Sequence, residues 1–333
     1  RLQASLGDGR LALSGLLRGT RLGEISAEVT AAGGRFAKGR EAPPLIDRQA
    51  PWQGRLQARV PDLAWLAPLF GEGWQVAGQL QGEMQLAGSP ARPQYAGQWR
   101  GEQLALRALD QGMRLERGQA LLEITPQRLL LRRLTFESDF QPLPRVLQLD
   151  ERIDRERLTG TPGRFEASGE LALAAAGVDR LARIDLRLDR VGLLQRPDQW
   201  MAVSGEGEVR IGEKVLEVGG KLRVDAGFWS LAPAGRPSLS DDVVLRSTQS
   251  AAGASRVQRG LKLDLEATLG RSLYFHGAGV DSRLGGALRI RSDDAGLPRA
   301  TGSIRTVDGR FDAYGQKLDI ERGIVNIQGA IDN

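Results

Sequence analysis

The chain has 333 residues, a formal net charge of +5, 43 Gly, 5% aromatics and no Cys. The lack of Cys excludes disulfides and thiolate chemistry, and it fits an oxidising compartment without requiring one. No apolar run approaches the ~20 residues of a membrane-spanning helix, and basic residues alternate with acids (Lys262, Asp264, Glu266; Lys317, Asp319, Glu321) instead of forming the aromatic-interleaved basic stripe of a nucleic-acid binder.

Residues 1–60 carry short alternating pieces: Leu11 and Leu13; Ile25, Ala27 and Val29; Leu56, Ala58 and Val60. Alternate side chains of a strand point to opposite faces, so each piece predicts a strand with one apolar and one polar face. Arg1 opens mid-pattern without Met and without a signal peptide, which reads as a segment of a longer chain. Asp62 can cap a short helix over Leu63 to Phe70, with Leu63, Leu66, Leu69 and Phe70 on one face and Pro68 and Gly71 limiting its length. The clearest alternation follows: Val76, Gly78, Leu80, Gly82, Met84 and Leu86 against Gln79, Gln81, Glu83 and Gln85. It ends in a Gly88-Ser89-Pro90 turn. Strands are predicted near 98–107, 113–116, 120–125 and 129–138.

The stretch Gln141 to Thr159 breaks the rhythm. Pro142 and Pro144, then Val146, Leu149, Ile153 and Leu158 with charges between, predict a loop and a short amphipathic helix. Strands return at 164–175, 182–189, 202–211, 215–220 and 221–225. Residues 232–260, rich in Pro, Ser, Ala, Gly and Asp, predict a long irregular loop. Alternation resumes at Leu261, Leu263 and Leu265, and continues through Leu284, Leu288 and Ile290 to Val325 and Ile327. The expected organisation is β modules over 1–140, a loop and helix over 141–160, further β over 161–231, the loop 232–260, and a C-terminal β module over 261–333.

Residues 93–118 align without gaps on 298–323. Identities fall at Pro93/Pro298, Gly97/Gly302, Arg100/Arg305, Ala108/Ala313, Gln111/Gln316, Glu116/Glu321, Arg117/Arg322 and Gly118/Gly323. Such self-similarity marks elongated repeat architectures. At ~4.8 Å per strand, roughly 18 to 22 strands would extend over about 90–100 Å.

A sheet with one apolar face must hide that face, and short helices are too few to cover it. A second sheet could pack on it, as in a sandwich. Alternatively, the sheet could bend lengthwise so that two arms line a shared trough. The apolar positions mix Leu, Ile and Val with many Gly and Ala, and small residues leave an interior under-packed unless a guest enters. Gly within strands also permits bending.

The stretch Val307-Asp308-Gly309-Arg310-Phe311-Asp312-Ala313-Tyr314-Gly315-Gln316-Lys317-Leu318-Asp319-Ile320-Glu321-Arg322-Gly323 resembles the C-terminal region of the TamB family. These are inner-membrane subunits of the translocation and assembly module. Gly270-Arg271-Ser272-Leu273-Tyr274-Phe275, Gly279-Val280-Asp281-Ser282-Arg283-Leu284-Gly285-Gly286 and Gly329-Ala330-Ile331-Asp332-Asn333 share the resemblance, and Val76 to Arg107 is similar to the preceding strand modules. The likeness is specific over 260–333 and looser over 60–230. It implies an all-β chain with few short helices, built as an elongated, lengthwise-bent sheet (a β-taco) enclosing an apolar groove. It implies a periplasmic protein anchored in the inner membrane of a Gram-negative bacterium and related to AsmA-like bridge-type lipid transfer proteins. Phospholipid would pass between inner and outer membranes, in support of outer-membrane biogenesis. TamA, an outer-membrane barrel, would be the partner through a segment beyond Asn333. The alternative is a chaperone-like module for outer-membrane proteins acting by strand pairing with TamA; a third is a structural spacer.

No catalytic constellation is visible, and no enzyme activity, cofactor or metal is expected. His276 is the only His and reads as a packed or surface residue. Asp241-Asp242 and Asp293-Asp294 read as solvated turns, and Gly205-Glu206-Gly207 lacks the helix start of a phosphate loop. The expected site is the apolar face: Leu80, Met84, Leu86, Leu171, Leu173, Ile184, Leu186, Val209, Ile211, Leu216, Val218, Leu222, Val224, Leu263, Leu265, Leu288, Ile290, Phe311, Leu318 and Ile320. These would shield acyl chains, at ~0.8 kcal/mol per buried methylene. The plain alternative for each is core packing.

Overall fold

A computed structural model of the chain describes residues 2–7, 10–20, 23–32, 49–151, 153–173, 180–231, 260–293, 296–313 and 316–330. Of these, 76% lie in strands and 6% in helices. Contacts divide the chain into two units, Arg1–Phe140 with Pro162–Val191, and Gln141–Thr161 with Gly192–Asn333. The predicted loop over 232–260 falls outside the described residues except for Gly260, which opens a strand.

The first unit is an antiparallel meander of ten strands: β1 (Leu2–Gly7), β2 (Arg10–Gly19), β3 (Gly23–Ala32), β4 (Trp52–Val60), β5 (Trp74–Ser89), β6 (Arg92–Ala108), β7 (Met113–Ile124), β8 (Arg128–Ser138), β9 (Gly163–Ala172) and β10 (Arg180–Gln195). Each strand pairs with the next. The predicted breaks within 113–125 are absent: β7 is one strand carrying a bulge at Arg117. Bulges also fall at Gln103 in β6 and at Arg132–Arg133 in β8. Gln103 and Arg117 adopt left-handed φ of 51° and 50° to accommodate the extra residue. A bulge bends its strand and raises the local twist, so bulges at neighbouring heights on three adjacent strands crease the sheet across its strands.

Between β4 and β5 lies a 3₁₀ helix, Ala64–Leu69. Asp62 Oδ1 accepts from the Ala64 N–H at 2.9 Å, close to the expected cap. The apolar side of the helix does not pack away. Leu63, just ahead of it, is buried, whereas Leu69 is 79% exposed.

In the second unit, β11 (Gln199–Gly212) pairs antiparallel with β12 (Val215–Ser230), which pairs in parallel with β13 (Gly260–Gly277). β14 (Val280–Ser292) and β15 (Pro298–Ala313) continue antiparallel, and β16 (Gln316–Asp319) and β17 (Ile324–Ala330) both pair with β15. The two strands predicted over 215–225 are one strand. A second line of bulges crosses this unit, between Val224 and Gly227 in β12, between Leu269 and Leu273 in β13, and beside Thr306 in β15.

The segment 141–161 belongs to the second unit and forms two single-turn helices rather than one, α1 (Arg145–Leu149) and α2 (Arg155–Thr159). Asp150 adopts an extended conformation that stops α1, and Asp154 starts α2 anew by accepting from the Arg157 N–H at 2.9 Å. Leu147, Ile153 and Leu158 are buried. α1 packs on β12, and the Tyr274 hydroxyl of β13 donates to the Asp150 carboxylate. The cross-strand row Trp200–Phe228–Tyr274–Arg283–Asp308 runs along this side, and Trp200, Ala202 and Ala226 are buried there.

Candidate functional site

Cross-strand partners share a face, so the registers show which residues lie together. In the first unit one apolar row runs Val60–Leu80–Gly101–Ala120–Leu134–Ala167–Leu186. The next runs Ala58–Gly82–Trp99–Leu122–Leu131–Gly169–Ile184, and a third Leu56–Met84–Gly97–Ile124–Leu129–Leu171–Ala182. Leu86 lies between Gly54 and Tyr95, and Leu173 follows β9, its N–H donating to Gln127 O at 2.9 Å. Every sequence-predicted position of this unit within β5, β9 and β10 therefore joins one continuous surface.

The second unit repeats the arrangement on its own face. Its rows are Ile211–Leu216–Leu261, Val209–Val218–Leu263, and Gly207–Gly220–Leu265–Ile290–Ala300–Gly329. Two more run Gly205–Leu222–Ala267–Leu288–Gly302–Ile327 and Val203–Val224–Leu269–Gly286–Ile304–Val325. Phe311 pairs with Leu318, and Ile320 follows, its N–H donating to Gly309 O at 2.8 Å. This face is opposite to the one where Tyr274 meets Asp150 beside α1, because Met201 and Val203 alternate with Trp200 and Ala202 along β11.

The depth of burial separates a packed core from an open surface. Among the twenty predicted residues only Val224 is buried; Leu171, Leu173 and Leu318 are exposed by 37%, 44% and 54%, and the others are half-buried. Along β5 no residue is buried at all. A second sheet packed on this face would exclude water from most of it. Each unit instead presents a single apolar layer, curved at its bulges and partly accessible.

The internal repeat acquires a structural meaning here. Leu80, Gly82, Met84 and Leu86 of β5 correspond to Leu284, Gly286, Leu288 and Ile290 of β14, and Met84 and Leu288 face Gly97 and Gly302. Gly82 faces Trp99 and Gly286 faces Ile304, so both hairpins set a glycine beneath a large side chain. The sequence reading missed Trp99, Leu122, Leu129, Leu131, Leu134, Leu269 and Ile304. The alternation of Leu129 and Leu131 with Leu134 loses parity at the Arg132–Arg133 bulge, which hid their common face.

The reverse faces are ion-paired. Glu116 Oε1 accepts from Arg107 Nε at 2.5 Å and raises the Arg107 pKa. Asp139 and then Glu137 raise the Arg117 pKa by hydrogen bonding. In the second unit Arg291, and after it Arg289, hold Asp264 below the usual carboxylate range. An open depression of about 970 Å³ beside the first bulge line carries Arg100, Arg117, Arg132 and Arg133. Glu137, Asp139 and Glu123 engage two of these arginines.

His276 is exposed with Nδ1 3.9 Å from Asp281 Oδ2. Asp293 closes a turn by accepting from the Leu297 N–H at 2.9 Å, whereas Asp241, Asp242 and Asp294 lie outside the described residues. Among the described residues no group of acids and His is arranged to hold a metal, and no helix is long and apolar enough to cross a membrane.

A family model described as the TamB C-terminal domain matches residues 153–333. No solved structure matches the chain.

Proposed function

The chain belongs to the TamB family, and from that premise we propose that its apolar faces shield phospholipid acyl chains in transit across the periplasm. Membership ties the chain to the translocation and assembly module and to outer-membrane biogenesis. The observation that carries the reading is the half-accessible apolar layer in each unit. A surface of Leu, Ile, Val, Gly and Ala without fixed polar anchors holds chains by burial alone, which is non-directional and lets them slide. A 16-carbon chain gains on the order of 10 kcal/mol in gross burial. Head groups would remain in water at the open side. No chemistry is required of the protein.

A second reading has its own observation. Among the described residues β17 pairs with β15 alone, and Ile324 and Val325 on it are 57% and 61% exposed. Such an edge can add a client strand, with TamA or an outer-membrane protein as the source. Two variants separate the readings. Leu222→Arg places a charge in the apolar layer between Gly205 and Ala267; Asn326→Pro, off the apolar rows and with its N–H on the side of β17 away from β15, disables the edge. Lipid conduction predicts loss of bound phospholipid in the first variant and retention in the second. Retention in a folded Leu222→Arg protein, with loss of strand pairing in Asn326→Pro, would move the assignment to a chaperone.

A further inference from the structure

The face of the first unit opposite to its apolar layer has a period of its own. One cross-strand row carries Arg18 on β2, Arg59 on β4, Arg100 on β6 and Arg133 on β8, with Glu24, Gln81 and Leu121 on the strands between. An arginine thus returns at every second strand, about 9.6 Å apart. The surface along this row is hollow. A depression of about 560 Å³ shares Glu24 and Arg59 with one of about 640 Å³, and that one shares Arg100 with the depression of about 970 Å³ at the bulge line. The three form one trench across β2 to β8.

The charge of the row is not neutralised within the chain. Glu24 is engaged by Arg18 at 3.1 Å. Arg59, Arg100 and Arg133 are exposed, and among the described residues no carboxylate engages them; Arg100 meets Gln98 Oε1 at 3.4 Å. The other acids of the trench are held elsewhere or stand off the row. Arg107 takes Glu116, while Glu83 and Glu102 lie opposite Gln98 and Gln79.

These features select an occupant. No aromatic ring lines the three depressions, so nucleobases find no stacking platform. A flat bilayer cannot follow a concave surface. Arginine clusters recognise acidic peptide motifs, and Gln57, Gln81 and Gln98 can donate to and accept from a peptide backbone. A chain in the polyproline-II form, common in unstructured segments, repeats every three residues over about 9.3 Å. An acid at every third position therefore matches the arginine spacing.

We propose that this trench docks an extended acidic segment of a protein partner, whose carboxylates at every third residue meet Arg59, Arg100 and Arg133 in turn. The apolar layer lies on the other side of the sheet, so the proposal stands independently of lipid conduction.

The test is fluorescence anisotropy with the full chain and a labelled peptide of repeated Glu-Pro-Pro triplets. Binding is expected at low salt and should weaken as salt rises. A peptide of the same composition in Glu-Glu-Pro-Pro-Pro-Pro repeats loses the spacing and should bind several-fold more weakly. Arg59→Gln, Arg100→Gln, Arg133→Gln together should weaken binding of the triplet peptide about tenfold, with unchanged circular dichroism. Arg271→Gln, Arg299→Gln, Arg305→Gln removes the same charge from the second unit and should leave binding unchanged. No binding, equal affinity for the two peptides, or equal losses in the two triple variants overturns the proposal. Tighter binding to phosphatidylglycerol vesicles that depends on Arg59, Arg100 and Arg133 also overturns it, and assigns the row to a membrane surface.

Discussion

The indole of Trp99 lies across Gly82: a β-carbon built on Gly82 would stand 2.6 Å from Trp99 Cδ2 and 2.6 Å from Gln98 O. Backbone cannot yield as a flexible side chain can, so Gly82→Ala should cost on the order of 1–3 kcal/mol. Gly286→Ala in the second unit should behave alike, since its β-carbon would meet Ser303 O at 2.1 Å at a φ of +134°. Urea midpoints of the two variants test whether the duplicated hairpin follows one packing rule; a neutral result at either position breaks the equivalence.

Trp99 itself separates packing from polarity. Its Nε1 is buried without a hydrogen-bond partner among the described residues. Trp99→Phe removes that donor while keeping an aromatic ring over Gly82, so it should change stability by less than about 1 kcal/mol. Trp99→Ala should cost roughly 3–5 kcal/mol. Equal losses in chemical denaturation would show that the indole nitrogen matters.

The crease of the first unit depends on residues held in the left-handed region. At Gln103, φ 51° is tolerable for Gly and costly for a β-branched side chain. Gln103→Gly should be neutral or stabilising, and Gln103→Val destabilising by about 1–2 kcal/mol. Hydrogen exchange of β6 and β7 would localise the effect to the bulge line.

The cover formed by 141–161 should be separable from the apolar layer. Leu147 is fully buried, and Leu147→Ala should cost roughly 2–5 kcal/mol. Tyr274→Phe removes the hydroxyl that donates to Asp150 and leaves a buried carboxylate short of a donor. Both should raise amide exchange in 145–159, while the apolar face opposite stays protected to its former degree.

Asp264 sets an acid limit on the second unit. Arg291 and Arg289 lower its folded pKa below the unfolded value. The contribution of Asp264 is then complete above the ordinary carboxylate pKa of about 3.9 and is lost as pH falls through the lower folded value. Wild type should exceed Asp264→Asn in urea midpoint at pH 6, and the gap should close at the acid end. High salt should narrow it, because the pair is exposed.

Strand type and facing were legible because a period of two is written directly in Leu80, Gly82, Met84 and Leu86. The same reading divided β7 at Arg117, because a bulge shifts parity and resembles a strand end, and split 215–225 at Gly219-Gly220, where the register in fact runs unbroken. The parallel pairing of β12 with β13 was not legible at all, since alternation is the same for either direction. The expected groove residues fell on continuous faces because sheet register preserves alternation. Their partial exposure could not be read from sequence, as it depends on whether anything packs above them. Leu69 and Phe70 show the limit from the other side: their helical spacing placed them on one face with Leu63, and the structure buries Leu63 while leaving those two in water.

The central claim is that the apolar layer carries phospholipid. Native mass spectrometry with lipid extraction, on the wild-type chain and on Leu222→Arg, tests it most directly. The account predicts phospholipid bound to the wild type and absent from the variant, with both folded by circular dichroism. A folded wild-type protein free of lipid, or a variant that retains it, would contradict the account.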